Sequence, residues 1–181
     1  MKEILLIRHT KVAVEAGLCY GQLEVELDEE RFPVEAEEVR QQLCPYLGGG
    51  ERLLVYASPS LRARRLAAAC GYTSPQLEAR LMELNFGAWE GQRYEDICDP
   101  RLQLWYEDYL YTAPTGGESF AEQCTRVASF LSELSEREEK TALLFTHGGV
   151  QLASGVWAGR WSLAEAFEHR MPYASILRLE L

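Results

Sequence analysis

The sequence predicts an α/β fold: three layers, α/β/α, with helices on both faces of a mostly parallel central sheet. Short apolar runs such as Ile4 to Ile7 and Ala142 to Phe145 alternate along the chain with segments whose apolar residues recur at helical spacing. Those runs are continuous rather than alternating, as a strand buried on both faces requires. Two of them pass without a spacer into chemically rich segments, Arg8-His9-Thr10 and Thr146-His147-Gly148-Gly149. Ligands of open α/β sheets bind beyond the carboxyl ends of the strands.

Taken in order, Ile4 to Ile7 gives the first strand. Ala36, Val39, Leu43 and Leu47 mark a helix, which Gly48-Gly49-Gly50 ends. That glycine run lacks the Lys-Ser/Thr of a phosphate-binding loop and reads as a flexible connector. Leu53 to Ala57 is a second strand, and it enters Ser58-Pro59-Ser60, where a serine is placed to cap a helix from Leu61 to about Ala69. A third short strand is expected near Gln76 to Arg80. Val127, Phe130, Leu131 and Leu134 follow the i, i+3, i+4, i+7 pattern of a long amphipathic helix, closed by the charged stretch Ser135 to Lys140. Ala142 to Phe145 is the fourth strand, then comes a helix with Val150, Ala153 and Trp157 on one face, and Ser175 to Leu181 is the last strand. Gln92 to Gly117 is too long for a plain connector and is expected to hold some helix of its own, forming an aromatic cap within a single domain of residues 1–181.

Composition narrows the function. A formal net charge of −10 disfavours nucleic-acid binding, which depends on clustered Lys and Arg, yet allows a small anionic substrate in one basic pocket. Five widely spaced cysteines without a C-x-x-C pair read as free thiols, not a disulfide framework or zinc ribbon. No stretch fits a signal peptide or membrane span, so a cytoplasmic protein, monomer or homodimer, is expected. Glu35, Glu37 and Glu38, like Glu136, Glu138 and Glu139, read as solvated helix faces.

Right-handed crossovers would gather Arg8 and His9 from the first strand, Ser58 and Arg62 from the second and His147 from the fourth at one sheet edge. Phosphoryl transfer needs a nucleophile, positive charge around the equatorial oxygens and a proton donor for the leaving oxygen. A neutral His9 imidazole could attack phosphorus, Arg8 and an arginine among Arg62, Arg64 and Arg65 could clamp its oxygens, and His147 could be a third donor. The chain has three histidines, no His-x-x-x-His pair and no dense carboxylate cluster, so neither metal nor other cofactor is implied.

Four motifs spread over nearly the whole length resemble those of the histidine phosphatase superfamily, in its phosphoglycerate mutase-like branch. Leu6-Ile7-Arg8-His9 is similar to the opening Arg-His-Gly motif in its first two residues, implying His9 as nucleophile and Arg8 in the phosphate pocket. Ser58-Pro59-Ser60-Leu61-Arg62-Ala63 resembles the second-arginine motif and selects Arg62. Leu81-Met82-Glu83-Leu84-Asn85-Phe86-Gly87-Ala88-Trp89-Glu90-Gly91 resembles the proton-donor segment and gives that role to Glu83, which the residues alone do not single out. Thr146-His147-Gly148-Gly149 resembles the second-histidine motif and adds His147 and Gly148 to the phosphate site. Thr10 and Lys11 depart from the usual Gly and Glu, and Leu66 replaces a common threonine. Arg8-His9-Thr10-Lys11-Val12 with Gly17-Leu18-Cys19-Tyr20-Gly21-Gln22 is most similar to the α-ribazole phosphatase group of cobalamin biosynthesis. The resemblance implies a phosphomonoester hydrolase acting through phosphohistidine on α-ribazole 5′-phosphate, with Thr10, Tyr20, Gln22 and Trp105 as further substrate contacts. The alternatives are a phosphatase of sugar phosphates or other small monoesters, a phosphoglycerate mutase, and a non-catalytic phosphate-binding module.

Overall fold

The computed structural model describes residues 3–46 and 52–180. Five strands form one sheet: β1 (Glu3–Arg8), β2 (Leu53–Ala57), β3 (Gln76–Leu77), β4 (Thr141–Thr146) and β5 (Ile176–Glu180), in the order β3-β2-β4-β1-β5. All neighbours are parallel except β5, which runs antiparallel to β1. The α-helices are α1 (Phe32–Leu43), α2 (Leu61–Ala69), α3 (Arg101–Glu107), α4 (Phe120–Ser135) and α5 (Gly148–Trp157).

The central strands are apolar throughout because both faces are covered. Ile4, Leu6, Ala142 and Leu144 pack with Val127, Phe130, Leu131 and Leu134 of α4 and Val150 and Ala153 of α5. The alternate residues Leu5, Ile7, Leu143 and Phe145 pack with Ala36, Val39 and Leu43 of α1 and Ala63, Leu66 and Ala67 of α2. Burial of each large side chain contributes about 1.5–3 kcal/mol, and the period of two divides them between the layers. α4 starts with a reciprocal cap: Glu122 N–H donates to Ser119 Oγ at 3.3 Å, and Ser119 N–H to the Glu122 carboxylate at 2.7 Å.

Several details depart from the pattern-based expectations. β3 stops at Leu77, because the Glu78 carboxylate accepts from Arg80 N–H at 3.0 Å and turns the chain into the 3₁₀ turn Ala79–Leu81. Ser60 sits at the start of α2, but its hydroxyl caps nothing; the Glu24 carboxylate accepts from Leu61 N–H at 2.9 Å instead. Glu35 is not a solvated face residue: it is buried, accepts from Lys11 N–H at 2.7 Å and pairs with Arg31 at 3.0 Å. With the Lys11–Asp28 pair at 3.0 Å, it anchors the loop after His9. Leu47, the Gly48-Gly49-Gly50 connector and Leu181 lie outside the described residues. Residues 92–117 hold the 3₁₀ turn Tyr94–Asp96 and helix α3, and beside them Cys19, Trp89 and Ile97 form a small core with Phe86, Tyr94, Leu102 and Trp105. Among the described residues no helix is long and apolar enough to cross a membrane.

Strand register sets up the site. Arg8 lies opposite Thr146 across the β1–β4 pair, and Ala57 opposite Phe145 across β2–β4, so three carboxyl ends are level. The alignment continues beyond the strands, since His9 N–H donates to Thr146 O at 3.1 Å and Ser58 N–H to Phe145 O at 2.8 Å.

Candidate active site

Over these strand ends lies a cavity of about 350 Å³. Arg8, His9, Arg62, Glu83, Gln123, Gly148, Gly149 and Arg170 give it a polar floor and rim, and Leu18, Tyr20, Leu84, Phe86, Tyr94, Leu152, Phe167 and Met171 form its more apolar side. His9 is 3 % exposed. Its Nδ1 lies 2.8 Å from Thr10 O, and a carbonyl only accepts, so Nδ1 carries the proton and Nε2 keeps a lone pair. Burial first, then the Arg62 charge, lower the His9 pKa to about 3; the Thr10 hydrogen bond opposes them, and the Arg8 charge adds a smaller lowering effect. The ring is therefore neutral at ordinary pH.

His147 has no solvent exposure, and its ring meets that of His9 edge-on with centroids 5.2 Å apart. Nε2 shares a 2.8 Å hydrogen bond with Ser58 Oγ, while Nδ1 is buried without a partner. Burial, reinforced by His9 and Arg62, holds its pKa well below the usual histidine value.

Arg8 and Arg62, two of the three arginines lining the cavity, are oriented by their surroundings. Arg62 is 1 % exposed and donates to Leu23 O at 2.9 Å and to Gly21 O; Arg8 donates to Met171 O. Arg8 lies 4.2 Å over the Tyr173 ring and Arg62 5.9 Å from the Tyr20 ring, and the two tyrosine hydroxyls are hydrogen-bonded at 2.9 Å. The Nε atoms of both arginines are buried without a hydrogen-bond partner. Arg65 pairs with Glu29 and Arg64 is exposed, so only Arg62 of that run lines the cavity.

Opposite stands Glu83, whose carboxylate accepts from Leu84 N–H at 2.9 Å, Gly149 N–H at 3.2 Å and Gln123 Nε2 at 3.2 Å. Arg126 fixes its backbone by donating to Glu83 O at 3.0 Å and Arg80 O at 2.8 Å while paired with Glu118 at 2.6 Å. The glycine pair at the start of α5 follows from close approach. A Cβ on Gly148 would lie 3.2 Å from the Arg8 guanidinium, and one on Gly149 only 2.2 Å from Glu83 Oε1.

Arg8, His9, Arg62, Glu83, Tyr20 and Gly148 of the sequence-derived set therefore line one cavity, with His147 against His9. Thr10, Gln22 and Trp105 do not line it. Thr10 is fully buried and offers His9 its carbonyl, Gln22 Nε2 donates to Glu83 O at 3.1 Å, and Trp105 packs among Phe86, Trp89 and Tyr94. Sequence reasoning misses Gln123, Tyr173, Met171 and Arg126. Gln123 does leave a signal, as a polar residue in helical phase with Val127 and Phe130 on the apolar face of α4. Among the described residues no group of three or more His, Cys, Asp and Glu is placed to hold a metal ion.

A neutral imidazole with an open lone pair, two arginines with unpaired buried N–H groups and a carboxyl facing them suit transfer of a tetrahedral anion. Comparison with known proteins agrees: residues 4–181 match the family model of the histidine phosphatase superfamily (branch 1), and the chain belongs to that superfamily. It is 31% identical over 120 residues to the adenosylcobalamin/α-ribazole phosphatase of Escherichia coli (strain K12), spanning 62% of this chain and 59% of that protein. It is 28% identical over 157 residues to phosphoserine phosphatase 1 of Hydrogenobacter thermophilus, covering 81% and 71% of the two chains. A solved phosphoglycerate mutase from Thermus thermophilus superimposes with a TM-score of 0.74 at 30% identity, over 98% of this chain and 92% of that one.

Proposed function

We propose that the protein hydrolyses phosphomonoesters through a phosphohistidine at His9. One observation carries this reading. His9 Nε2 is left with a free lone pair in a pocket where Arg8 Nε and Arg62 Nε are buried without partners, and Nδ1 of His147, packed edge-on against His9, is buried without one too. An unpaired buried polar group costs about 1–3 kcal/mol, more if charged, which a phosphoryl group accepting from all three would relieve. Arg8 and Arg62 hold the equatorial oxygens, joined by His147 and the Gly148 backbone. Glu83, protonated, gives its proton to the leaving oxygen as the His9–phosphorus bond forms and the ester bond breaks. The resulting carboxylate takes a proton from water, whose oxygen attacks phosphorus and releases His9 and phosphate. No step needs a metal.

For the leaving group, α-ribazole 5′-phosphate is the preferred reading. Tyr20, Phe86, Tyr94 and Phe167 give the cavity an aromatic wall suited to a planar base, with residues 92–117 as an aromatic cap on one domain. A small acidic monoester is the second reading, favoured by Arg170, which lines the cavity, lies 5.0 Å over Phe167 and has no ion pair among the described residues. Turnover of α-ribazole 5′-phosphate, phosphoserine, 3-phosphoglycerate and ribose 5-phosphate in EDTA separates these. The expected outcome is hydrolysis that EDTA does not affect, highest kcat/KM on the ribazole ester and loss of at least about a thousandfold in His9→Ala. Equal activity of His9→Ala, or strict dependence on a divalent ion, would sink the mechanism, and a preference for the acidic esters would select the second reading.

A further inference from the structure

Gln123 is fully buried in α4 and lines the cavity, and its amide is the one side chain hydrogen-bonded to the Glu83 carboxyl among the described residues. Its Nε2 donates to Glu83 Oε1 at 3.2 Å, while its own Oε1 is buried without a partner. A glutamine inside an apolar helix face costs desolvation that a leucine would not. That cost is out of place in a residue serving only to pack α4. The two backbone groups at Glu83, from Leu84 and Gly149, can only donate, so neither can accept the O–H of a protonated carboxyl. A general acid must also exist protonated, and its O–H then needs an acceptor. An amide carries both functions at the ends of one two-fold torsion in nearly the same volume.

We propose that Gln123 is the positioning residue for Glu83, its amide following the proton: C=O accepts from the carboxylic acid before transfer, and N–H donates to the carboxylate afterwards. This rests on the assignment of Glu83 as proton donor. In the first half-reaction the Glu83 O–H leaves the Gln123 carbonyl and turns to the ester oxygen, its proton passes to that oxygen, the P–O bond breaks and the His9 Nε2–P bond forms. The amide turns over, presenting the Nε2 contact that the structure records. In the second half water gives its proton to Glu83, its oxygen bonds phosphorus, His9 leaves and the amide turns back. The unpartnered Oε1 is the end that waits for the acid form. Gln123 itself neither gives nor takes the transferred proton and acts through Glu83.

The test reads the proton-transfer role, not activity in general. An aryl ester such as p-nitrophenyl phosphate needs little help from an acid, because its leaving group is stable as the anion; an alkyl ester such as ribose 5-phosphate needs all of it. In Gln123→Leu, kcat/KM on ribose 5-phosphate is expected to fall about tenfold further than on p-nitrophenyl phosphate. Single-turnover decay of the phosphohistidine enzyme is expected to slow by about tenfold as well, since the base half also needs Glu83 held. Gln123→Met is measured beside it as a second packing-compatible variant, and Glu83→Gln is the reference for complete loss of the proton donor. Equal losses on the two esters in both Gln123 variants, or an unchanged decay of the phosphoenzyme, overturn the proposal and leave Glu83 untouched. An absence of ester-selective loss in Glu83→Gln itself overturns the Glu83 assignment, and this proposal falls with it.

Discussion

Single residues in this pocket are fixed by what lies within a few ångströms of them, and Gly149 shows how narrow the tolerance is. A Cβ there would sit 2.2 Å from Glu83 Oε1 and 2.9–3.0 Å from the Gln123 amide, which are the mobile ends of side chains, not backbone. Gly149→Ala is therefore expected to leave the thermal midpoint within a few degrees of wild type while kcat/KM on an alkyl phosphomonoester falls by about 10²-fold, because the Glu83 carboxyl and the Gln123 amide must move while the backbone need not. Unfolding of the variant, or full activity, would contradict this. At this scale the sequence is readable where a residue type announces its chemistry: Arg8, His9 and His147 stand at strand ends and Arg62 in the first turn of the helix after β2, and parallel strands converge there. Glu83 comes only from the motif resemblance, since nothing in the pattern separates it from a turn glutamate. Tyr173 and Arg126 are invisible in sequence because their roles arise from contacts across the fold, Tyr173 under Arg8 and Arg126 against the Glu83 backbone.

Elements are legible in proportion to how far their own sequence decides them. β1, β2 and β4 read directly as apolar runs, and α4 reads from its 3.6-residue period. The end of β3 does not, because Glu78 makes the last backbone bond to Ala57 O of β2 while its carboxylate accepts from Arg80 and turns the chain away. The cap of α2 escapes the sequence for a related reason: Glu24, 37 residues away, caps Leu61 in place of Ser60. α4 is the opposite case, with Ser119 and Glu122 capping each other locally. It carries Gln123 and Arg126, and its apolar face covers the sheet beside α5, so its first turn couples helix stability to the site. Ser119→Ala removes the acceptor for Glu122 N–H and is expected to cost about 1 kcal/mol of unfolding free energy by urea titration. A null effect on the midpoint would show that neighbouring contacts alone hold that turn.

For the whole molecule, two neutral imidazoles buried beneath a pair of arginines make stability depend on pH in a window set by histidine. In the unfolded chain these residues take up protons as pH falls below about 6.5. In the folded state His9 stays neutral down to about 3, and burial holds His147 in the same direction. Between those limits the unfolded state binds more protons, so acidification favours unfolding, by up to about 1.4 kcal/mol per histidine for each pH unit. Carboxylates with lowered values, such as Glu37 at about 2 beside Arg40, contribute stability that is lost only once the pH drops below the ordinary glutamate range. The interval from pH 7 to 5.5 therefore isolates the histidines. Across it the free energy of unfolding is expected to fall by about 2–3 kcal/mol, and by roughly half as much in His9→Gln or His147→Gln. Urea midpoints that stay constant from pH 7 to 5.5 in wild type would mean that the imidazoles are protonated in the folded protein, and the lone pair required at His9 would not be free.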